Sequence, residues 1–171
     1  MDRQRSEVLI AHDHDRETPR SPILPQMTWR PDLTVAAIAQ RDDGRFLVVE
    51  ERIGTAIVFN QPAGHVEDGE TIIQAVIRET LEETAWQFVP RHLLGMYLWR
   101  NPDNGRSILR VAFSGEAQAH DAARRLDRGI LAAHWMSRES LAAQTARLRS
   151  PLVMQCIDDH LAGRRYGLDA L

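Results

Sequence analysis

Residues 64–84 read Gly64-His65-Val66-Glu67-Asp68-Gly69-Glu70-Thr71-Ile72-Ile73-Gln74-Ala75-Val76-Ile77-Arg78-Glu79-Thr80-Leu81-Glu82-Glu83-Thr84. The second half has the chemistry of a helix. Thr71 is placed to cap it, and Gln74, three residues on, completes a capping box, which predicts a helix over Thr71–Thr84. At about 100° per residue, Glu79, Glu82 and Glu83 fall within an arc of about 100° on one face. Ile73, Val76 and Ile77 lie to the other side and are expected to face the core.

A solvated acidic face would explain the three glutamates at a cost. Like charges one turn apart repel by roughly 0.2–0.5 kcal/mol. They also sit near the helix C-terminus, where the dipole disfavours anions. A hard divalent cation removes the conflict, because Mg²⁺ takes oxygen ligands and shares them with substrate phosphates. Gly64, in the bend Pro62-Ala63-Gly64, could offer a backbone carbonyl to such an ion. Arg78 is placed to pair with Glu70 and so lock the preceding loop onto the helix.

Outward from this stretch the chain alternates strands and helices. LTVAAIAQ from Leu33 and RFLVVEE from Arg45 flank Asp43-Gly44, a hairpin signal. LLGMYLWR and SILRVAFSG flank the turn Asn101-Pro102-Asp103-Asn104-Gly105, and short apolar pieces at Ala56–Phe59 and Ile130–Met136 add strands. Ser137 can cap a helix through about Ala146, with Met136 and Leu141 as a hydrophobic staple. Pro151 opens a last helix, where Leu152, Val153, Cys156, Ile157 and Leu161 recur at helical spacing and Gly163 ends it. Helices that must cover both faces of a mixed β-sheet predict an α/β/α sandwich.

Composition bounds the rest. The 171 residues, 43% apolar and 26% charged, fit one domain with a real core. Lys+Arg 21 against Asp+Glu 24 leaves a net charge of −3 and no electrostatic footprint for nucleic acid. No apolar run approaches the ~18 residues of a membrane span, and Met1–Asp15 lacks a signal peptide's apolar stretch. The single Cys156 excludes a disulfide framework and a Cys-rich zinc site, so a reducing, cytoplasmic setting is expected, with Cys156 in the core. Residues 1–28, charged and broken by Pro19, Pro22 and Pro25, read as a flexible extension before a domain at 29–171. His12 and His14 alternate with acids there, as a solvated tail rather than a metal site.

Gly64, five residues, Glu70, seven residues, then Arg78-Glu79-Thr80-Leu81-Glu82-Glu83-Thr84 resembles the Nudix box of the Nudix hydrolases. Two positions depart from it. Thr80 stands where an aliphatic residue is usual, and Ala85 where a helix-terminating Gly takes positive φ. LTVAAIA, FLVVEE, Asn60-Gln61-Pro62-Ala63-Gly64-His65, ILRVAF, Arg149-Ser150-Pro151-Leu152-Val153 and Arg165-Tyr166 resemble the NudJ-type phosphatase branch of that family. There, Asp32 stands where a His is expected.

The resemblance implies a Nudix fold and Mg²⁺-dependent removal of phosphate, with Mn²⁺ as a possible substitute. The implied substrates are nucleoside di- and triphosphates, thiamine pyrophosphate and hydroxymethylpyrimidine pyrophosphate. Glu79, Glu82, Glu83 and the Gly64 carbonyl would hold the metal, which activates a water for attack on phosphorus. Either Glu79 or Glu83 would accept the proton.

Around that centre the residues allow several readings. Arg110, mid-strand in an apolar run, is expected to face either water or a phosphate, and Arg149 could supply a second cation. Tyr97 and Trp99 share a strand face, where core packing and stacking on a heteroaromatic substrate both fit. His65 could donate to phosphate or serve structure. Partners are expected to be small diphosphate or triphosphate substrates, with no nucleic acid and no membrane, on a monomer or homodimer. A pyrophosphohydrolase giving monophosphate plus pyrophosphate is the alternative. A catalytically inactive nucleotide-sensing module and an interaction protein using the N-terminal extension stand further off.

Overall fold

The computed structural model describes residues 29–171; the charged extension, with His12 and His14, lies outside the described residues. Among the described residues, seven strands form two sheets. The first is mixed, in the order β4 (Ala63–His65), β1 (Asp32–Ala39), β6 (Ser107–Gln118), β5 (Gln87–Arg100), and β1 and β6 are its parallel pair. The second is antiparallel, in the order β3 (Ala56–Asn60), β2 (Phe46–Ile53), β7 (Ile130–Met136).

β1 shows why so apolar a segment must sit inside. Its last six residues are all buried, as in a strand covered on both faces. Val35, Ala37 and Ala39 pack with Ala75 and Val76 of helix α1 (Ile72–Thr84). Ala36 and Ile38 pack on the other side, with Leu141 of α2 (Arg138–Ala142) and Leu152, Cys156 and Ile157 of α3 (Leu152–Leu161). The period of two thus divides one strand between two cores, giving the α/β/α sandwich. Burial pushes the Cys156 thiol up to about 11, so it is a packed, un-ionised group.

Several local expectations change. Asp43-Gly44 does turn the chain: Gly44 has φ 81° and donates its N–H to Arg41 O at 2.9 Å. The flanking strands do not form a hairpin, however. Beyond the single bridge Gln40–Phe46, β1 pairs with β4 and β6, and β2 crosses to the other sheet. The helix capped by Ser137 stops at Ala142, whose carbonyl accepts from Thr145 Oγ1 at 2.6 Å; a 3-10 turn, Thr145–Arg147, follows. Ile77 does not reach the core and is 37% exposed; the buried stripe of α1 is Ala75, Val76, Thr80, Glu83 and Thr84.

The two departures in the glutamate segment are accommodated. Thr80 is buried with its hydroxyl donating to Val76 O at 2.7 Å, so no polar group is left bare. Ala85 takes the left-handed conformation itself, at φ 60°, and its N–H bonds Leu81 O. The helix therefore ends as a glycine would end it, at a strain of about 1–2 kcal/mol.

Candidate active site

β4 and α1 build the centre of the site. β4 runs antiparallel to β1, with Val35 opposite Gly64, and carries the backbone of Ala63–His65 past the glutamate face of α1. Ala63 N–H donates to Glu83 Oε2 at 2.9 Å. Gly64 lies against the Glu79 carboxylate, closely enough that a β-carbon there would overlap it.

Arg78 ties the surrounding pieces together. Its Nε and Nη2 donate to the two Glu70 oxygens at 3.0 and 2.6 Å, a bidentate fork. Nη2 also donates to His65 O at 3.0 Å, and Nη1 to Glu79 Oε1 at 2.9 Å and Glu82 Oε2 at 3.1 Å. Glu70 Oε1 accepts from Glu67 N–H at 2.8 Å. One guanidinium thus joins the loop, the strand and the helix face, as the Arg78–Glu70 spacing suggested.

The electrostatics are those of crowded acid. Burial pushes the Glu83 carboxyl up to about 8; the Ala63 N–H opposes this, while Glu79, Glu51 and Asp127 reinforce it. Glu79 is also raised, first by burial, against the pull of Arg78. Among the described residues no three His, Cys, Asp or Glu side chains stand at ligand spacing. Arg78 engages Glu79 and Glu82, and the Ala63 N–H engages Glu83. The donor set still suits a hard divalent cation. It is all oxygen, it shares one helix face, and it includes a buried carboxyl whose ionisation requires positive charge nearby.

A cavity of about 240 Å³ opens beside β4, with Gly64, His65, Trp99, Arg110 and Arg149 in its walls. Arg110 is buried to 5% exposure. Its Nη1 and Nη2 donate to Gln61 Oε1 and Asn60 Oδ1 at 3.2 and 3.4 Å, while its Nε has no partner. Burial lowers its pKa, as it must for a cation with no carboxylate hydrogen-bonded to it. Arg149 reaches to 3.7 Å from Glu51. His65 is exposed at the rim.

Tyr97 does not join them. It is buried, its hydroxyl donating to Asp159 Oδ2 at 2.8 Å, and it takes no part in this cavity. The shared strand face sends Trp99 to the cleft wall and Tyr97 into the core, where its hydroxyl meets Asp159 of α3. Asp32, at the expected His position, forks onto Arg106 Nε and Nη2 at 3.0 Å each, pinning the β5–β6 turn over the cavity.

Glu51, Asn60, Gln61 and Asp127 also serve the site and had no role assigned from sequence. Glu51 sits between Glu50 and Arg52 at the charged end of β2, so its sequence neighbours do not single it out. Asp127 carried no signal either, since the β6–β7 connection brings it near α1, where its N–H donates to Glu82 O at 3.0 Å.

Similarity to known proteins follows the same lines. Residues 30–155 match the NUDIX domain. Phosphatase NudJ of Escherichia coli K12 is 38% identical over 143 residues, 84% of this chain and 92% of that protein. A NUDIX hydrolase structure from Nitrosomonas europaea superposes with TM-score 0.81 at 51% identity, covering 83% of this chain and 96% of that one. The NUDIX domain of Shewanella oneidensis NrtR, solved with ADP ribose, shares the fold at TM-score 0.63 and 18% identity, covering 83% and 94%. No helix among the described residues is long and apolar enough to cross a membrane. With the box, its clamp and the fold in agreement, the chain belongs to the Nudix hydrolases, enzymes that act on phosphoric anhydrides.

Proposed function

We propose that this enzyme is a Mg²⁺-dependent phosphatase, with Mn²⁺ able to substitute. It releases terminal orthophosphate from nucleoside di- and triphosphates and from thiamine-type pyrophosphates, hydroxymethylpyrimidine pyrophosphate included. The observation that carries the reading is the buried Arg110, aimed into a cavity that ends on the strand beside Glu79 and Glu83. A cation kept out of water without a hydrogen-bonded carboxylate favours an anionic guest. The relative named Phosphatase NudJ supports the choice of reaction.

Glu79, Glu82, Glu83 and the Gly64 carbonyl would hold the divalent ion, which when bound supplies charge neutralisation and acidity to water. Arg78 keeps Glu79 and Glu82 in place and anchors the loop through Glu70. Arg110 and Arg149 bind the diphosphate oxygens and orient the terminal phosphorus toward the glutamates. Glu79 or Glu83, the two carboxylates against β4, takes the proton from the attacking water.

Parallel assays for orthophosphate and pyrophosphate test this on ATP, ADP and thiamine pyrophosphate. Orthophosphate from all three is expected; pyrophosphate accumulating from ATP overturns the reading in favour of a pyrophosphohydrolase. Arg110→Ala should raise KM for every diphosphate by a similar factor, since the phosphates are common to all. An effect confined to one heterocycle removes Arg110 from the phosphate site.

A further inference from the structure

The cavity beside the glutamate helix does not end at Trp99. A second cavity, of about 410 Å³, adjoins it, and Trp99, Asn101, Arg149 and Ser150 belong to the walls of both. The first chamber is charged, with Arg106, Arg110, Arg149 and Glu51 around it. Beyond Trp99 the lining turns apolar: Leu148 and Pro151 come from the segment leading into α3, Met154 from α3 itself, and Pro102 from the β5–β6 turn.

We infer that this outer chamber seats the planar heterocycle of the substrate, with Trp99 as its stacking face and Leu148 and Met154 completing the slot. The inference rests on the phosphatase reading and adds where the organic half of the substrate goes. A diphosphate held by Arg110 has its substituent leaving the charged chamber, and the adjoining space is apolar and walled by an aromatic ring. Such a slot gains by burying a flat ring. It is also preformed, because Trp99, Leu148 and Met154 pack against the core that holds Ile157 and Phe59.

Arg149 stands at the neck. Its backbone N–H is fixed to Phe59 O at 2.8 Å and its Nε lies 3.7 Å from Glu51, so it sits where phosphate meets ring. Polar readers for one ring edge are few. Asn101 Oδ1 is already taken by Asp103 N–H at 2.9 Å, Thr145 and Asp103 are exposed at the mouth, and Ser150 Oγ, buried without a hydrogen-bond partner, belongs to the wall shared with the charged chamber. The chamber therefore selects for flatness over base identity, and one- and two-ring heterocycles both fit that requirement.

Thr145 lines the rim without being buried, so Thr145→Trp fills the slot while sparing the core. The readout is kcat/KM for thiamine pyrophosphate and for ADP, each divided by that for inorganic tripolyphosphate, which has phosphates and no ring. Both ratios should fall roughly tenfold or more in Thr145→Trp and in Trp99→Ala. Unchanged ratios in both variants overturn the inference, as does a loss shared equally by tripolyphosphate.

If the wild-type enzyme releases phosphate from none of these, the phosphatase reading fails on its own. Calorimetric titration with AMP then decides the chamber. Affinity weakened about tenfold by Thr145→Trp keeps it, and equal affinity removes it.

Discussion

Gly64 and the Glu79 carboxylate occupy adjoining space so closely that residue 64 can carry no side chain without moving Glu79. The obstacle is the far end of a flexible side chain, so Gly64→Ala should fold with a nearly unchanged Tm. The displaced carboxylate should cost roughly 10–100-fold in divalent-cation affinity or in kcat. Calorimetric Mg²⁺ titration and turnover on one preparation check this. Normal metal affinity and turnover would show that the close approach has no functional role.

Glu83→Gln should separate activity from stability. The amide can still accept from Ala63 N–H, and it cannot ionise in this buried, negatively surrounded position. Turnover should fall by about 10²-fold or more while the metal-free Tm holds or rises. The pH dependence has a definite sign. A carboxyl raised to about 8 in the folded protein and ordinary in the unfolded chain makes stability fall as pH rises from about 4.5 to 8. The slope should approach 1.4 kcal/mol per pH unit at most. Urea titrations across that range, without divalent ions, should show a shallower slope in Glu83→Gln than in wild type, the raised Glu79 and Glu51 supplying what is left.

Arg78→Lys tests the clamp better than removal of charge does. Lysine keeps one positive charge but cannot make the fork to Glu70 while also reaching His65 O, Glu79 and Glu82. Lower Tm and weaker Mg²⁺ binding are expected, with Arg78→Ala worse on both counts. A lysine variant equal to wild type in melting and in metal binding would reduce Arg78 to a mere counter-charge.

His160 gives a pH response of the opposite sign. Burial, with Arg165 adding repulsion, lowers its pKa to about 4. Its ring packs edge-on to Phe46 at 5.6 Å, with Nε2 3.1 Å from Gln40 Oε1. The unfolded chain then binds the proton first, so this contribution is full above about pH 6.5 and is lost as pH falls toward 4. Denaturation at pH 7 and pH 5 should show a smaller loss in His160→Phe than in wild type. Equal losses would place the acid sensitivity elsewhere.

Sequence alone determined what repeats or caps locally. The Thr71–Gln74 capping box, the one-faced glutamates, the Arg78–Glu70 pair and the burial of Cys156 follow from spacing and side-chain chemistry within a few residues. Those are short-range facts, written in neighbours along the chain. Tertiary structure decided which ladder each strand joined. Asp43-Gly44 specifies a turn, but the turn holds no information about β4 and β6 outcompeting β2 for the edges of β1. It also decided the fates of Tyr97 and Trp99, identical in strand phase: one meets Asp159 of α3, the other lines the cavity. Glu51 and Asp127 approach the glutamate helix from another sheet and from a connecting loop, and no sequence period encodes that approach. A site assembled from distant segments depends on packing between elements, and that packing is settled by competition among all the surfaces the chain must bury at once.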